Sequence, residues 1–71
     1  MEIIYTDHVK YRMELRGITE DMIEKTLTEP DKTGMGYQDR SLAWKTFEKG
    51  RIKVVCSKEG GDYIVISVMW D

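Results

Sequence analysis

The chain has 71 residues, of which 41% are hydrophobic and 34% are charged, and its formal net charge is -2. This composition is typical of one small soluble domain, and no apolar run approaches the ~20 residues that a membrane-spanning helix needs. The single cysteine, Cys56, excludes an internal disulfide and a Cys-x-x-Cys metal site. We therefore expect one domain, residues 1–71, in the cytoplasm, with no metal ion, no cofactor and no membrane partner.

Positive charge is concentrated in the second half of the chain. Residues 1–30 hold four Lys/Arg against seven Asp/Glu, giving -3, whereas residues 31–71 hold seven against six, giving +1. Between Arg40 and Lys53, five cations face only Glu48. This segment is either a local basic surface or a set of solvated strand and turn charges.

The first 17 residues predict a short strand followed by a helix. The run "EIIY" is β-like, and Thr6 or Asp7 can cap the helix that follows. This helix extends to about Arg16 and ends at Gly17, because glycine accepts the left-handed conformation at a helix end without a steric penalty.

A second helix is predicted between Thr19 and Pro30. Thr19 is a suitable N-cap, and Ile18 and Ile23 then stand at the two positions of a hydrophobic staple. Proline disfavours helical geometry in the residue before it, so the helix ends before Pro30. Its apolar residues occupy one arc of the helical wheel, so this helix packs one face on the core.

The rest of the chain predicts a sheet. The segment "DKTGMGYQDR" is rich in turn residues and leaves room for a short edge strand. Three strands follow, "SLAWKTFE", "RIKVVCS" and "DYIVISVMW", separated by the plausible hairpin turns "KG" and "KEGG". The predicted fold class is α+β, in the order β-α-α-β-β-β, with two helices packed on one face of a small antiparallel sheet.

The first helix carries His8, Arg12 and Arg16 at intervals of four residues. On a helical wheel they lie at about 0°, 40° and 80°, a narrow stripe on one face. Apolar residues flank this stripe on both sides: Val9, Met13, Tyr11 and Leu15. Lys10 and Glu14 mark the opposite, solvent-facing side, so we expect Arg12 to point toward the sheet or into a cleft beside it.

A guanidinium in such a place needs an anionic partner, because it cannot lose its proton and an unpaired buried charge costs several kcal/mol. One alternative is an internal carboxylate, with Asp39, Glu48, Asp71 or the chain terminus as candidates. The other is a ligand phosphate in a partly open groove, which the planar fork of arginine fits well.

His8 is the only histidine in the chain. A histidine near a helix start is often a surface or hydrogen-bonding residue, but here it shares a face with two arginines. Imidazole can accept a proton near neutral pH, which suits a general base. A metal site is not indicated, because only Asp7 is adjacent and no second histidine or cysteine cluster exists.

The run from His8 to Pro30, followed by "RIKVVCS" and "DYIVISVMW", resembles an uncharacterised family of small domains. Its members open with His-x-x-x-Arg-x-x-x-Arg-Gly-Ile and a second acidic helix, then close with a strand meander. That family is similar to the RelE-type toxins and the colicin-like ribonucleases. The resemblance implies a RelE-like fold, RNA cleavage without a metal ion and an antitoxin-like partner, and its motif positions here are His8, Arg12 and Arg16.

These features predict a toxin-type endoribonuclease in which His8 takes the proton of the attacking 2′-hydroxyl while Arg12 and Arg16 stabilise the phosphate. The predicted substrate-binding residues are Lys45, Arg51, Lys53 and Trp44. Trp44 would stack a base, or else belong to the core. Two alternatives stay open: a non-catalytic interaction module, such as a homodimer, and RNA binding without cleavage.

Overall fold

The structure is a computed structural model that describes residues 2–71. Its elements in chain order are β1 (Ile3–Tyr5), α1 (Asp7–Arg16), α2 (Glu20–Thr28), β2 (Lys32–Met35), a 3-10 turn (Tyr37–Asp39), β3 (Ser41–Phe47), β4 (Gly50–Glu59) and β5 (Asp62–Trp70). The two helices pack on one face of the sheet, which confirms the predicted α+β class. Neither helix within residues 2–71 combines the length and the apolar character needed to cross a bilayer.

The sheet has five strands in the order β1-β5-β4-β3-β2. Strands β2 to β5 form a continuous antiparallel meander, as the hairpin turns predict. Two details differ from the sequence prediction. The short edge strand β2 is present, and β1 pairs with β5 in parallel, so the sheet is mixed. Strand β5 is separated from β1 by both helices and three other strands. Because no hairpin joins β1 to β5, the two strands can pair in parallel.

The predicted helix ends are confirmed. The Thr6 hydroxyl accepts a hydrogen bond from the backbone N–H of Val9 at 3.2 Å, and Gly17 ends α1 with φ +67°. Thr19 caps α2 in the same way through the N–H of Met22, and the helix stops two residues before Pro30. These caps fix the direction of α1, and therefore the direction of the stripe that it carries.

The core lies between the helices and one face of the sheet. It is a single cluster of buried residues: Val9, Met13, Ile18, Ile23, Ile52, Val54, Val65 and Val68. The opposite face carries no helix of the described chain, and we call it the open face. Because side chains alternate along a strand, the neighbours of the buried strand residues point to the open face.

Strand β5 has an irregularity next to its junction with β1. Val55 pairs with Ser67 while Cys56 pairs with Val65, so Ile66 is an extra residue on β5. Strand β1 pairs only with Tyr63–Val65, and no further strand within residues 2–71 continues along that side of β5. A bulge of this kind bends a strand and redirects its side chains. Beyond Ile66 the outer edge of β5 faces α1 instead of a strand.

Candidate functional site

A groove of about 180 Å³ lies between α1 and the outer edge of β5. Its lining consists of His8, Val9, Arg12 and Arg16 from the helix and Ser67, Val68 and Met69 from the strand. The structure therefore brings the three stripe residues together in one groove. Two parts of the fold create it: the caps that aim α1, and the early end of β1, which leaves the edge of β5 without a neighbouring strand.

Arg16 anchors α1 to this edge. Its Nη1 donates a hydrogen bond to the carbonyl oxygen of Val68 at 2.6 Å, and Nε1 of Trp70 donates one to the carbonyl oxygen of Arg16 at 2.7 Å. The guanidinium thus satisfies an edge carbonyl that β1 does not reach. The charge of Arg16 is not neutralised by this bond, because the carbonyl carries no net charge.

Arg12 occupies the centre of the groove wall. Its side chain is partly buried, and its Nε has no access to solvent and no hydrogen-bond partner within residues 2–71. The inward orientation predicted for the arginines is therefore confirmed. No carboxylate of the described chain forms an ion pair with Arg12: Asp71 pairs with Arg51, and the other ion pairs are Lys25 with Asp21 and Lys45 with Asp31. None of the predicted internal partners, Asp39, Glu48, Asp71 or the chain terminus, forms an ion pair with Arg12 within residues 2–71.

His8 stands at the mouth of the groove, in the first turn of α1, and its side chain is exposed. Residues one turn apart on a helix have Cβ atoms about 5–6 Å apart, so His8 and Arg12 can contact the same small ligand. An exposed imidazole exchanges protons with water directly. This position is compatible with a general base that acts on a ligand held by Arg12.

The electrostatics of the groove follow from its lining. Two guanidinium groups face it, and within the described residues its lining includes no aspartate or glutamate. Ser67 contributes a neutral residue to this lining. With one Arg16 nitrogen bonded to Val68, several guanidinium N–H groups stay available to a ligand. The groove can therefore bind a small anion.

Replacing Arg16 by methionine is expected to lower the free energy of unfolding by about 1–3 kcal/mol, because the Val68 carbonyl is left without its partner. Equilibrium unfolding in urea measures this change. Lys10→Met is the matched control, since Lys10 lies on the exposed side of α1 and is expected to change stability by less than about 0.5 kcal/mol. Equal stability of the two variants would show that the Arg16 bond does not anchor the helix.

The structure separates the predicted substrate-binding residues into two groups. Ala43 and Val54 are buried partners on the helix side, so their neighbours Trp44 and Lys53, which also pair with each other, lie on the open face. Arg51 shares that face by alternation and pairs there with Asp71.

Lys45 does not join this group. It lies on the helix side, where its Nζ donates to the carbonyl oxygen of Glu29 at 2.8 Å and lies 3.8 Å from Asp31. Sequence alternation could not assign these faces, because both faces of β3 carry apolar residues, Ala43 and Phe47 on one and Leu42 and Trp44 on the other.

A larger depression of about 270 Å³ lies elsewhere, beyond the C-terminal end of α2. Its lining is mostly apolar, with Lys58 as its one charged residue. Cys56 lies at its base but is only 1% exposed, and burial raises the pKa of this thiol. A buried thiol with a raised pKa is a poor nucleophile, so Cys56 behaves as the small buried hydrophobe that its strand context predicts. This depression lacks the basic groups of the groove.

The three groove residues that β5 contributes were not among the predicted site residues: Ser67, Val68 and Met69. They line the groove because β1 ends early and Ile66 shifts the register. No local signal in "DYIVISVMW" marks this bulge. The nearest clue is the single serine within an otherwise apolar strand.

Comparison with known proteins gives one result. Residues 5–70 match the family model described as a domain of unknown function, DUF4258. No curated protein and no solved structure matches the chain. The matched range includes the whole helical motif from His8 to Ile18 and the whole strand meander, which ends at Trp70. The chain therefore belongs to the DUF4258 family.

Proposed function

We propose that the groove binds a phosphodiester of RNA and that the protein cleaves RNA there without a metal ion. The observation that carries this proposal is the unpaired Arg12, whose Nε is buried without a partner in a groove that has no acidic lining residue within residues 2–71. A buried N–H without a partner costs free energy, and a guanidinium that no carboxylate neutralises favours an anion bound beside it.

A phosphodiester fits this lining better than a single carboxylate does. Its two non-bridging oxygens share one negative charge and diverge from a tetrahedral phosphorus, so Arg12 and Arg16, one helical turn apart, can each donate to a different oxygen. The volume of about 180 Å³ is below the ~300–1,000 Å³ typical of pockets for drug-sized ligands. It therefore suits one phosphate, with the attached nucleosides lying outside the groove.

In the proposed reaction, the His8 imidazole takes the proton from the 2′-hydroxyl next to the bound phosphate. The 2′-oxygen attacks phosphorus, the bond from phosphorus to the 5′-oxygen breaks, and the 5′-oxygen receives a proton from the exposed His8 imidazolium through water. The products are a 2′,3′-cyclic phosphate and a 5′-hydroxyl. Arg12 and Arg16 stabilise the charge that grows on the phosphorane oxygens.

We include in this proposal a relationship to the RelE-type toxins and the colicin-like ribonucleases, which the helical motif suggests. It would place the activity in the cytoplasm and give the protein an antitoxin-like partner. Both are predictions that follow from the proposed kinship.

A second candidate is RNA binding without cleavage. It is favoured by the composition of the groove, in which His8 is the one lining residue that can serve as a general acid or base, with no second such residue among the described residues that line it. A non-catalytic interaction module, such as a homodimer, is the remaining alternative. An internal ion pair of Arg12 would favour that alternative, and the described chain contains none.

The proposal is tested by incubating the purified protein with an end-labelled oligoribonucleotide in excess EDTA. We expect cleavage to fragments ending in a 2′,3′-cyclic phosphate, and no cleavage of the deoxyribonucleotide of the same sequence, which lacks the attacking hydroxyl. Lys10→Gln, purified in parallel, is the control and is expected to cleave as the wild type does.

Two other outcomes would overturn cleavage as the function. Intact RNA after prolonged incubation, with binding that depends on Arg12, would establish the second candidate. Equal cleavage by the wild type and by Arg12→Met would assign the activity to a contaminant or to another part of the molecule.

A further inference from the structure

The open face carries a row of four residues that lie side by side across the sheet. Register pairs Met69 with Lys53, Lys53 with Trp44, and Trp44 with Lys32, so the row crosses β5, β4, β3 and β2 in turn. Directly paired residues on neighbouring strands point to the same face. The row therefore runs at right angles to the strands, over three strand spacings of about 4.8 Å each.

Trp44 forms an aromatic platform in this row. A Cβ added at Gly34 would lie 3.4 Å from Cζ3 of Trp44, so the ring lies across β2 over the glycine backbone. Nζ of Lys32 lies 5.0 Å from the ring centroid and Nζ of Lys53 lies 5.7 Å from it. The ring therefore lies against β2 at Gly34, with an ammonium group near it from each neighbouring strand.

Lys32 and Lys53 are not neutralised. Neither takes part in an ion pair with any of residues 2–71, unlike Arg51 on the same face, which pairs with Asp71. An aromatic ring with unpaired cations on both sides is the arrangement that binds single-stranded nucleic acid, with a base stacked on the ring and phosphates on the cations. Lysine side chains are flexible enough to move from the ring to a phosphate when a base takes their place.

The row joins the groove. Met69 belongs to both, since it lines the groove and pairs with Lys53. A strand whose phosphate lies against Arg12 can therefore leave the groove over Met69 and continue across the sheet to Lys32. The groove itself is too small for more than one phosphate, so the adjoining nucleotides need a surface of this kind.

We propose that the row Met69, Lys53, Trp44 and Lys32 is the track for single-stranded RNA that extends from the groove, with one base stacked on Trp44. This inference rests on the proposed function for the groove. It adds Lys32 to the binding residues, and it predicts that binding depends on the length of the strand.

The test compares two lengths of 2′-O-methyl RNA, which cannot be cleaved by 2′-hydroxyl attack. A dinucleotide places its single phosphate in the groove and is too short to follow the track, whereas an octanucleotide also reaches Trp44 and Lys32. The wild type is expected to bind the octanucleotide more tightly. Trp44→Leu is expected to weaken octanucleotide binding roughly tenfold, since base stacking is lost. Lys32→Gln is expected to lower the slope of log K against log salt by about 0.7, the contribution of one phosphate contact. Dinucleotide binding is expected to stay unchanged in both variants.

Lys10→Gln, on the exposed side of α1, is the matched control for the loss of one positive charge and is expected to keep both affinities. Circular dichroism verifies that Trp44→Leu is folded, and Lys32→Gln at the exposed edge strand tests the track independently of the core. Octanucleotide binding that is unchanged in both variants would overturn the track. So would equally tight binding of a hexaglutamate peptide, which would make the row a general site for acidic chains.

The two proposals fail in different ways. If the wild type does not bind the dinucleotide, the phosphate site in the groove is contradicted. Octanucleotide binding that still depends on Trp44 would in that case support the track alone. Intact dinucleotide binding with no effect of length would contradict the track and leave the groove.

Discussion

Replacing His8 by alanine is expected to slow RNA cleavage by about 10²–10⁴-fold, the usual contribution of a general base. The His8 side chain is exposed and forms no hydrogen bond within residues 2–71, so its removal is expected to change the free energy of unfolding by less than about 0.5 kcal/mol. Single-turnover cleavage of an end-labelled oligoribonucleotide measures the rate, and urea unfolding measures the stability.

The neighbouring Lys10→Ala variant controls for the loss of a polar side chain from the same helix turn. Its rate is expected to match the wild type. If His8→Ala retains the full rate, His8 is not the base, and the second candidate function or a base supplied by the RNA becomes the better account.

Replacing Arg12 by methionine is expected to slow cleavage by about 10²–10³-fold, the cost of losing one donor that stabilises the charged intermediate. The same change is expected to leave stability unchanged or to raise it, because methionine removes an uncompensated charge and an unpaired buried Nε while keeping much of the side-chain volume. Loss of function with gained stability is the signature of a residue kept for a ligand.

Arg16→Met separates this signature from a structural role, since Arg16 anchors the helix to Val68 and its loss is expected to lower stability. Arg12→Lys is the second control: it keeps the charge without the planar fork and is expected to retain part of the activity. If Arg12→Met lowers the free energy of unfolding by several kcal/mol, the guanidinium has an internal partner, and the interaction module becomes the favoured function.

Local sequence signals predict the helical half of this protein well. Thr6 and Thr19 fix the starts of the two helices, and Gly17 fixes the end of α1, through capping chemistry that involves only nearby residues. The inward direction of Arg12 follows locally only in part. Val9 and Met13, on one side of the stripe, are buried as predicted, whereas Tyr11 and Leu15 on its other side are exposed. The turn "KEGG" likewise predicts its hairpin, since Gly60 and Gly61 both adopt positive φ.

The sheet half depends on contacts between residues distant in the chain, which no local pattern encodes. The parallel pairing of β1 with β5 brings together segments about 60 residues apart. The extra residue Ile66 changes which β5 side chains reach the groove, and the helix side taken by Lys45 follows from a register that two apolar faces leave ambiguous.

The missing ion partner of Arg12 could not be predicted for the same reason. The candidates Asp39, Glu48 and Asp71 are reasonable by charge, but their positions depend on how the strands and turns assemble. Asp71 forms an ion pair with Arg51, its neighbour at the open face. The side chains of Asp39 and Glu48 are exposed.

Inorganic phosphate, compared with chloride at equal ionic strength, is expected to stabilise the wild type, since a ligand that binds only the folded state raises the free energy of unfolding. The rise reaches about 2.7 kcal/mol when phosphate is present at 100 times its dissociation constant. We predict this phosphate-dependent rise for the wild type and for Lys10→Gln, and its absence in Arg12→Met. An equal rise in Arg12→Met, or no rise in the wild type, would contradict an anion site built around the unpaired guanidinium.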